Sequence, residues 1–384
     1  LEGGFSFLKI YLERVETIIF ATQMRVQQLY LYQFKNYAEH EFQFHEQIVC
    51  ITGKNGSGKT SLLDAIYFLC FTKSYFVHSD AFCVMHEKQG MRIKADFEKQ
   101  NSYQIQCILR ENGKKEFSNN GVQYTQFSKH IGKFPVVIIT PDDTQLITEG
   151  SEVRRKFIDI LISQLDENYM RNLMAYNKVL QQRNSLLKKW HELADKDYAV
   201  LDIYDDQLGE YARPIYSARK AYIEHLKIKT NEIYNYISEA SENIEIEYQT
   251  QLHQIELIEL LKQNRQKDIL SQRSNYGIHK DDLYLTLNEM PLKMAASQGQ
   301  RKSFLFGIKF AQFEILKANI DTTPLLLLDD IFEKLDEKRG EKLIQFISNQ
   351  DTQVFITDTH KERLQDAFSG IEKKVQWIEL QAYL

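Results

Sequence analysis

Three short stretches of this chain carry residues whose types and spacing suit phosphate chemistry. The first is Gly53-Lys54-Asn55-Gly56-Ser57-Gly58-Lys59-Thr60, followed by Ser61. Its glycines let the backbone bend so that successive N–H groups point inward at phosphate oxygens. Lys59 can reach β- and γ-phosphates, and the Thr60 hydroxyl can ligate Mg2+. The second is Pro324-Leu325-Leu326-Leu327-Leu328-Asp329-Asp330, an apolar run ending in two acids. Here Asp329 would hold Mg2+ through water, and Asp330 would orient an attacking water. The third is Ser297-Gln298-Gly299-Gln300, which opens a helical pattern. A helix N-terminus can bind an anion; taken alone, Ser297 also reads as an ordinary N-cap.

The flanking elements are those such residues need. Gln47–Thr52 is a β-rich run, and Ser61–Leu69 has a helical pattern, so the glycine loop sits between strand and helix. Upstream, Val26, Leu29 and Leu31 read as a strand, Phe34–Tyr37 as a turn and Glu39–Phe44 as a second strand. Residues 91–109 alternate with period two, Glu111–Lys114 is a hairpin turn, and Lys115–Tyr124 reads as one further strand. A small antiparallel sheet beside the phosphate loop is the simplest arrangement. Pro135–Thr140 and Gln353–Thr357 read as buried strands, the first suited to a sheet covered on both faces.

From about 152 to 240 the period becomes helical, with Phe157, Ile158, Leu161, Ile162 and Leu165 on one stripe. Ala194-Asp195-Lys196-Asp197 is the expected break. The stripes are too irregular for long coiled coils, which favours a compact helical insertion. Residues 244–248 and 283–287 return to a strand pattern. Lys178, Arg183, Lys188 and Lys189 form one basic cluster, and Arg213, Arg219, Lys220, Lys227 and Lys229 another. They suit either a solvated helical face or a surface that contacts DNA phosphates.

Bulk properties narrow the classes. With 384 residues, 43% hydrophobic and only 5 Pro, the chain can bury a real core. A net charge of −5 gives no global nucleic-acid signature, so any DNA contact needs local basic patches or assembly. Cys50, Cys70, Cys83 and Cys107 are not spaced as metal ligands and read as buried thiols of a reducing, cytoplasmic compartment. No apolar run is long enough for a membrane span. The first methionine is Met24; residues 1–23 are a poor signal peptide and read as an upstream extension or an expression remnant.

The order of the motifs adds a resemblance. Phosphate loop, long interval, Ser-Gln-Gly-Gln, then acidic strand is the order of an ATPase of the ABC/SMC type. The interval is too short for an SMC protein's coiled coil and longer than a transporter ATPase needs. The chain resembles the RecF family from Met24 to nearly its C-terminus. Phe34-Lys35-Asn36-Tyr37 resembles that family's opening motif. Thr140-Pro141-Asp142-Asp143 with Gly150, Ser151, Arg154 and Arg155 resembles its central motif. Tyr176, Leu180, Arg183 and Asn184 fit a third, and Gly277 with His279, Lys280, Asp281 and Asp282 a fourth.

The resemblance implies an α/β fold: an ABC/SMC-like ATPase head of the P-loop NTPase class, built from residues 24–150 and 276–384, with a mainly helical domain, 151–275, inserted. It implies ATP and Mg2+ as cofactors, with Lys35 and Asn36 joining Gly53–Ser61 at the nucleotide. Ser297, Gln298, Gly299 and Gln300 would reach ATP held by a second copy, Asp336 would lie at that dimer interface, and Lys59 and Asp330 would be catalytic. The implied function is ATP-dependent binding of single-stranded, gapped or junction DNA in recombinational repair and SOS induction. RecO- and RecR-type proteins would be partners in recombinase loading. Transport-type ABC ATPases carry Glu where Asp330 stands and His where Asp358 stands. These departures imply slow, DNA-dependent hydrolysis that resets a switch; His360 receives no catalytic role. The alternative is an ATPase subunit of a transporter or regulatory complex.

Overall fold

The computed structural model describes residues 22–192, 198–238, 242–332 and 336–381. The expected helix break at 194–197, Leu335 and most of the expected N-terminal extension lie outside these residues. The chain forms two compact units. One holds residues up to Thr144, Glu232–Ser241 and Ser297–Leu384; the other holds Gln145–Asn231 and Glu242–Ala296.

In chain order the strands are β1 (Arg25–Phe34), β2 (Tyr37–Gln43), β3 (Ile48–Gly53), β4 (Met91–Glu98), β5 (Ser102–Leu109), β6 (Lys115–Asn119), β7 (Val122–Gln123), β8 (Val136–Ile139), β9 (Ile244–Gln249), β10 (Asp282–Leu287), β11 (Met290–Pro291), β12 (Leu325–Asp329), β13 (Val354–Asp358) and β14 (Val375–Leu380). The first unit has two sheets. One is antiparallel, in the order β2-β1-β4-β5-β6-β7. Its strands alternate, as in β4, where Met91, Ile93, Ala95 and Phe97 are buried in turn. Lys115–Tyr124 is not one strand but the hairpin β6–β7. Asn120 and Gly121 take positive φ of 49° and 78°, the turn that Asn-Gly favours between antiparallel strands.

The second sheet is parallel, in the order β14-β3-β13-β12-β8. β12 and β13 are buried at every residue, because both faces of such a sheet are covered. The helix Lys59–Phe71 packs against strands of both sheets. It is apolar nearly all round, and every residue except Thr60 is buried, which suits an interior helix. Register sets the functional edge. Asp329 lies beside Thr357, Asp358 beside Thr52, and Leu380 beside Gly53. β3, β12 and β13 therefore end together, where open α/β sheets bind ligands.

The second unit is mainly helical, with Ser151–Leu165, Glu167–Lys189 and most of Ala199–Ser238, plus the antiparallel sheet β11-β10-β9. Its limits differ from the expected 151–275: residues 145–150 and 276–296 count with it. The bonds explain why. Arg154 donates to the Leu146 and Glu149 carbonyls and pairs with Asp282 at 2.7 Å.

Candidate functional site

The phosphate loop leaves β3 at Gly53, whose φ is 155°. A Cβ there would lie 2.6 Å from the Leu380 carbonyl oxygen. Gly58, with φ 97°, caps the following helix, and its Cβ would lie 2.8 Å from the Tyr37 hydroxyl. Tyr37 donates to the Gly58 carbonyl at 3.0 Å. Asn36 donates to the Gly56 carbonyl at 3.3 Å and accepts from Ser61 at 3.1 Å. The turn at 35–37 therefore braces the loop from outside; Tyr37, whose role the sequence does not announce, is its main buttress. Lys54, Asn55 and Gly56 are exposed at the tip, while Ser57 is buried.

Lys35 faces elsewhere. Its ammonium pairs at 2.5 Å with Asp64, which is fully buried. Asp64 also accepts from the Ser74 hydroxyl and the Tyr75 N–H. Lys35 thus neutralises the helix that carries the loop.

Lys59 is buried and donates to the Gly53 and Lys54 carbonyls at 2.7 and 3.0 Å. Burial lowers its pKa, opposed by the charges of Asp330, Asp329 and Asp358. Thr60 donates to Asp329 at 2.9 Å, and Thr357 donates to the same carboxylate at 2.6 Å. Desolvation raises the Asp329 pKa, against the two threonine hydrogen bonds. Two residues 269 apart in sequence thus meet at one point. A hydroxyl and a carboxylate oxygen form a hard donor set that fits Mg2+. Among the described residues no group of three or more His, Cys, Asp or Glu could hold a metal alone.

Asp330 adopts φ 47°, a strained left-handed conformation for a side-chain-bearing residue. Its N–H is held by the Thr357 carbonyl and hydroxyl at 3.2 and 3.0 Å. The peptide is pinned, and the partly buried carboxylate has Oδ1 3.8 Å from Arg363 Nη2. His360 is mostly exposed and bonds to Thr359 and, through its N–H, to Asp358. Arg363, absent from the sequence reading, chelates Asp358 at 2.6 and 3.0 Å.

Ser297 and Gln298 are exposed at the start of the helix Gln298–Asn319. Ser297 and Gln300 form a reciprocal capping box, so the N-cap reading is correct as local structure. The cap uses the Ser297 oxygen as acceptor and leaves its O–H able to donate. The Arg339 guanidinium lies directly over Gly299, and Asp336 holds Arg339 at 3.0 Å while capping the helix Glu337–Ser348. Ser297 bonds within its own turn and does not join the phosphate loop of this chain.

The basic clusters divide. Lys178, Lys188, Lys189, Arg213 and Lys220 are exposed, whereas Arg183 and Arg219 are buried and belong to no solvent face. Arg183 donates to Asp205, Asp268 and Ser274, each at 2.7 Å. Arg219 donates to Asp281 at 2.7 Å, the Ile278 carbonyl at 2.8 Å and Asp159 at 2.9 Å. Tyr176 meets His279 at 2.8 Å, Asn184 accepts from Ser274, and Arg155 donates to the Asp281 carbonyl. The motifs around 154, 176–184 and 277–282 therefore converge in hydrogen bonds and ion pairs inside the second unit.

The chain matches the RecF/RecN/SMC N terminal domain over residues 25–378. It is 43% identical over 342 residues to the DNA replication and repair protein RecF of Flavobacterium johnsoniae, covering 88% of this chain and 95% of that one. The protein of the same description from Bacteroides thetaiotaomicron is 38% identical over 344 residues, covering 89% and 92%. A solved structure of the recombination mediator protein RecF with ATP, of the RecFOR pathway, superposes with TM-score 0.83 at 28% identity, covering 93% and 96%. The Smc head domain of Pyrococcus furiosus superposes with TM-score 0.52 at 15% identity, a likeness of fold.

Proposed function

Because this chain belongs to the RecF family, we infer that it is an ATP-binding DNA replication and repair protein. The α/β architecture is that of an ABC/SMC-like ATPase head. Beyond this, the proposed function is an ATP-assembled DNA clamp. One observation carries it: Thr60 of the phosphate-loop helix and Asp329 of the acidic strand meet at 2.9 Å, with Lys59 and Asp330 beside them.

In this reading the N–H groups of Gly53–Thr60 cradle the phosphates, and Lys59 neutralises their charge. Mg2+, when bound at Thr60 and Asp329, supplies further charge neutralisation at the phosphate oxygens. Asp330, fixed by its pinned peptide, orients water for a slow hydrolysis. The exposed Ser297 hydroxyl and the first N–H groups of its helix contact ATP held by a second copy, with Asp336 at the same interface. ATP binding thus joins two heads around single-stranded, gapped or junction DNA, and hydrolysis releases them. RecO- and RecR-type proteins are the proposed partners in loading recombinase, in the cytoplasm. Among the described residues no helix is long and apolar enough to cross a membrane.

The test is fluorescence anisotropy of a gapped duplex at fixed salt, titrated in Mg-ATP and in Mg-ADP. Tighter binding in ATP, lost in Ser297→Arg, is expected. Equal binding in both nucleotides removes the switch. DNA-stimulated phosphate release should disappear in Lys59→Met.

A further inference from the structure

The edge where β3, β12 and β13 end holds a cation to which the proposed mechanism gives no task. Arg363 lies in the first turn of the helix Lys361–Phe368. Its Nε donates to Asp358 Oδ2 at 3.0 Å, and its Nη2 to Asp358 Oδ1 at 2.6 Å. The same Nη2 lies 3.8 Å from Asp330 Oδ1. Asp358 is fully buried, whereas the Arg363 side chain is 33% exposed. In register Asp358 sits beside Thr52, one residue before the phosphate loop begins, and its charge is felt at Lys59. In the sheet β13 lies between β3, which delivers the loop, and β12, which delivers the acids.

A guanidinium has five N–H donors in a rigid fork. Asp358 takes two of them and fixes the plane of the group. The Nη2 that binds Asp358 also approaches Asp330, and the partly exposed group stands beside the acids. Such a fork matches a phosphate's oxygens. We propose that Arg363 is a phosphate-sensing residue acting within its own chain: it binds the terminal phosphate of a nucleoside triphosphate and ties that contact to Asp358 and Asp330. The inference rests on the nucleotide-site reading above. It adds the discrimination of triphosphate from diphosphate, because a diphosphate lacks the group Arg363 would hold.

The experiment is a titration with fluorescent, non-hydrolysable ATP and with fluorescent ADP, both with Mg2+. It compares the wild-type chain, Arg363→Gln and the double variant Arg363→Gln/Asp358→Asn. The double variant removes the buried charge that the single one leaves unpaired, so it keeps the test valid if Arg363→Gln fails to fold. A lost charge-assisted hydrogen bond predicts an ATP affinity about 10- to 100-fold weaker, with ADP affinity changed by less than about threefold. The double variant should show the same ATP-specific loss, and Arg363→Lys a partial one. An equal loss for both nucleotides, or none for either, in the double variant overturns the proposal and leaves Arg363 a structural partner of Asp358. Wild-type protein that binds neither nucleotide overturns the site reading itself.

Discussion

Replacing Arg219 by methionine removes a buried cation of the second unit. Arg219 is 2% exposed and Asp281 3%. The substitution leaves Asp281 without its ion pair and takes one donor each from Asp159 and the Ile278 carbonyl, which keep Tyr169 and the Asp281 N–H respectively. Breaking a buried pair by removing one partner costs about 3–5 kcal/mol. With a urea dependence of about 2 kcal/mol per molar, the unfolding midpoint should fall by about 1.5–2.5 M. Trp190 is buried against Leu187, Leu201 and Ile269 of the second unit, and the chain's other tryptophan, Trp377, lies in β14 of the first. In a Trp377→Phe background, Trp190 fluorescence therefore follows the second unit alone.

The deficit also has a pH signature. Burial raises the Asp281 pKa, and Arg219 is the largest influence opposing that rise. Without Arg219 the folded-state pKa climbs further above the unfolded value of about 3.9. A carboxyl raised in this way costs stability above its unfolded pKa and costs nothing below it. The Arg219→Met deficit should shrink as pH falls from 7 toward 4. Arg219→Met/Asp281→Leu should recover much of it at neutral pH. A midpoint shift below about 0.3 M together with weakened DNA binding would refute the reasoning and return Arg219 to a DNA-contacting surface.

Gly58→Ala should weaken ATP binding by at least about tenfold, since a left-handed residue costs about 1–2 kcal/mol and the new methyl displaces Tyr37; unchanged nucleotide affinity would contradict the buttress. Lys35→Met should lower the melting temperature of the nucleotide-free protein, because Asp64 is left buried and unpaired; an unchanged melt with weakened ATP binding would make Lys35 a nucleotide ligand instead. Burial lowers the pKa of His130 and of His279 to about 4. The unfolded chain binds these protons first, so their contribution is complete above about pH 6.5 and is lost as pH falls toward 4, amounting to about 2 kcal/mol each at pH 5. Thermal melts at pH 7 and pH 5 should show that loss, and His279→Asn should flatten it in the Trp190 signal; an unaltered acid limb would contradict the buried neutral imidazole.

The phosphate loop, the acidic strand and the signature helix were legible from sequence because each works through contiguous backbone. A glycine-rich turn between strand and helix, or four leucines ending in two acids, carries its local geometry in its own residue order. Apolar runs likewise exposed β3, β8, β12 and β13, though not β14, and the helical period exposed the run from about residue 152. It did not reveal that Lys115–Tyr124 folds back at Asn120-Gly121, since alternation looks the same on either side of a two-residue turn.

Only the tertiary structure assigned the charged residues. Arg183 and Arg219 stand in clusters with exposed lysines and look the same in sequence, yet their partners come from 22 to 91 residues away. Tyr37 became a brace of Gly58, Lys35 a partner of Asp64, and Arg363 a neighbour of both Asp358 and Asp330 through packing alone. The physical reason is that a charge or hydroxyl carries no local preference strong enough to announce its partner. Whether it meets solvent, a buried carboxylate or a phosphate is decided by which distant segment the fold brings within about 3 Å.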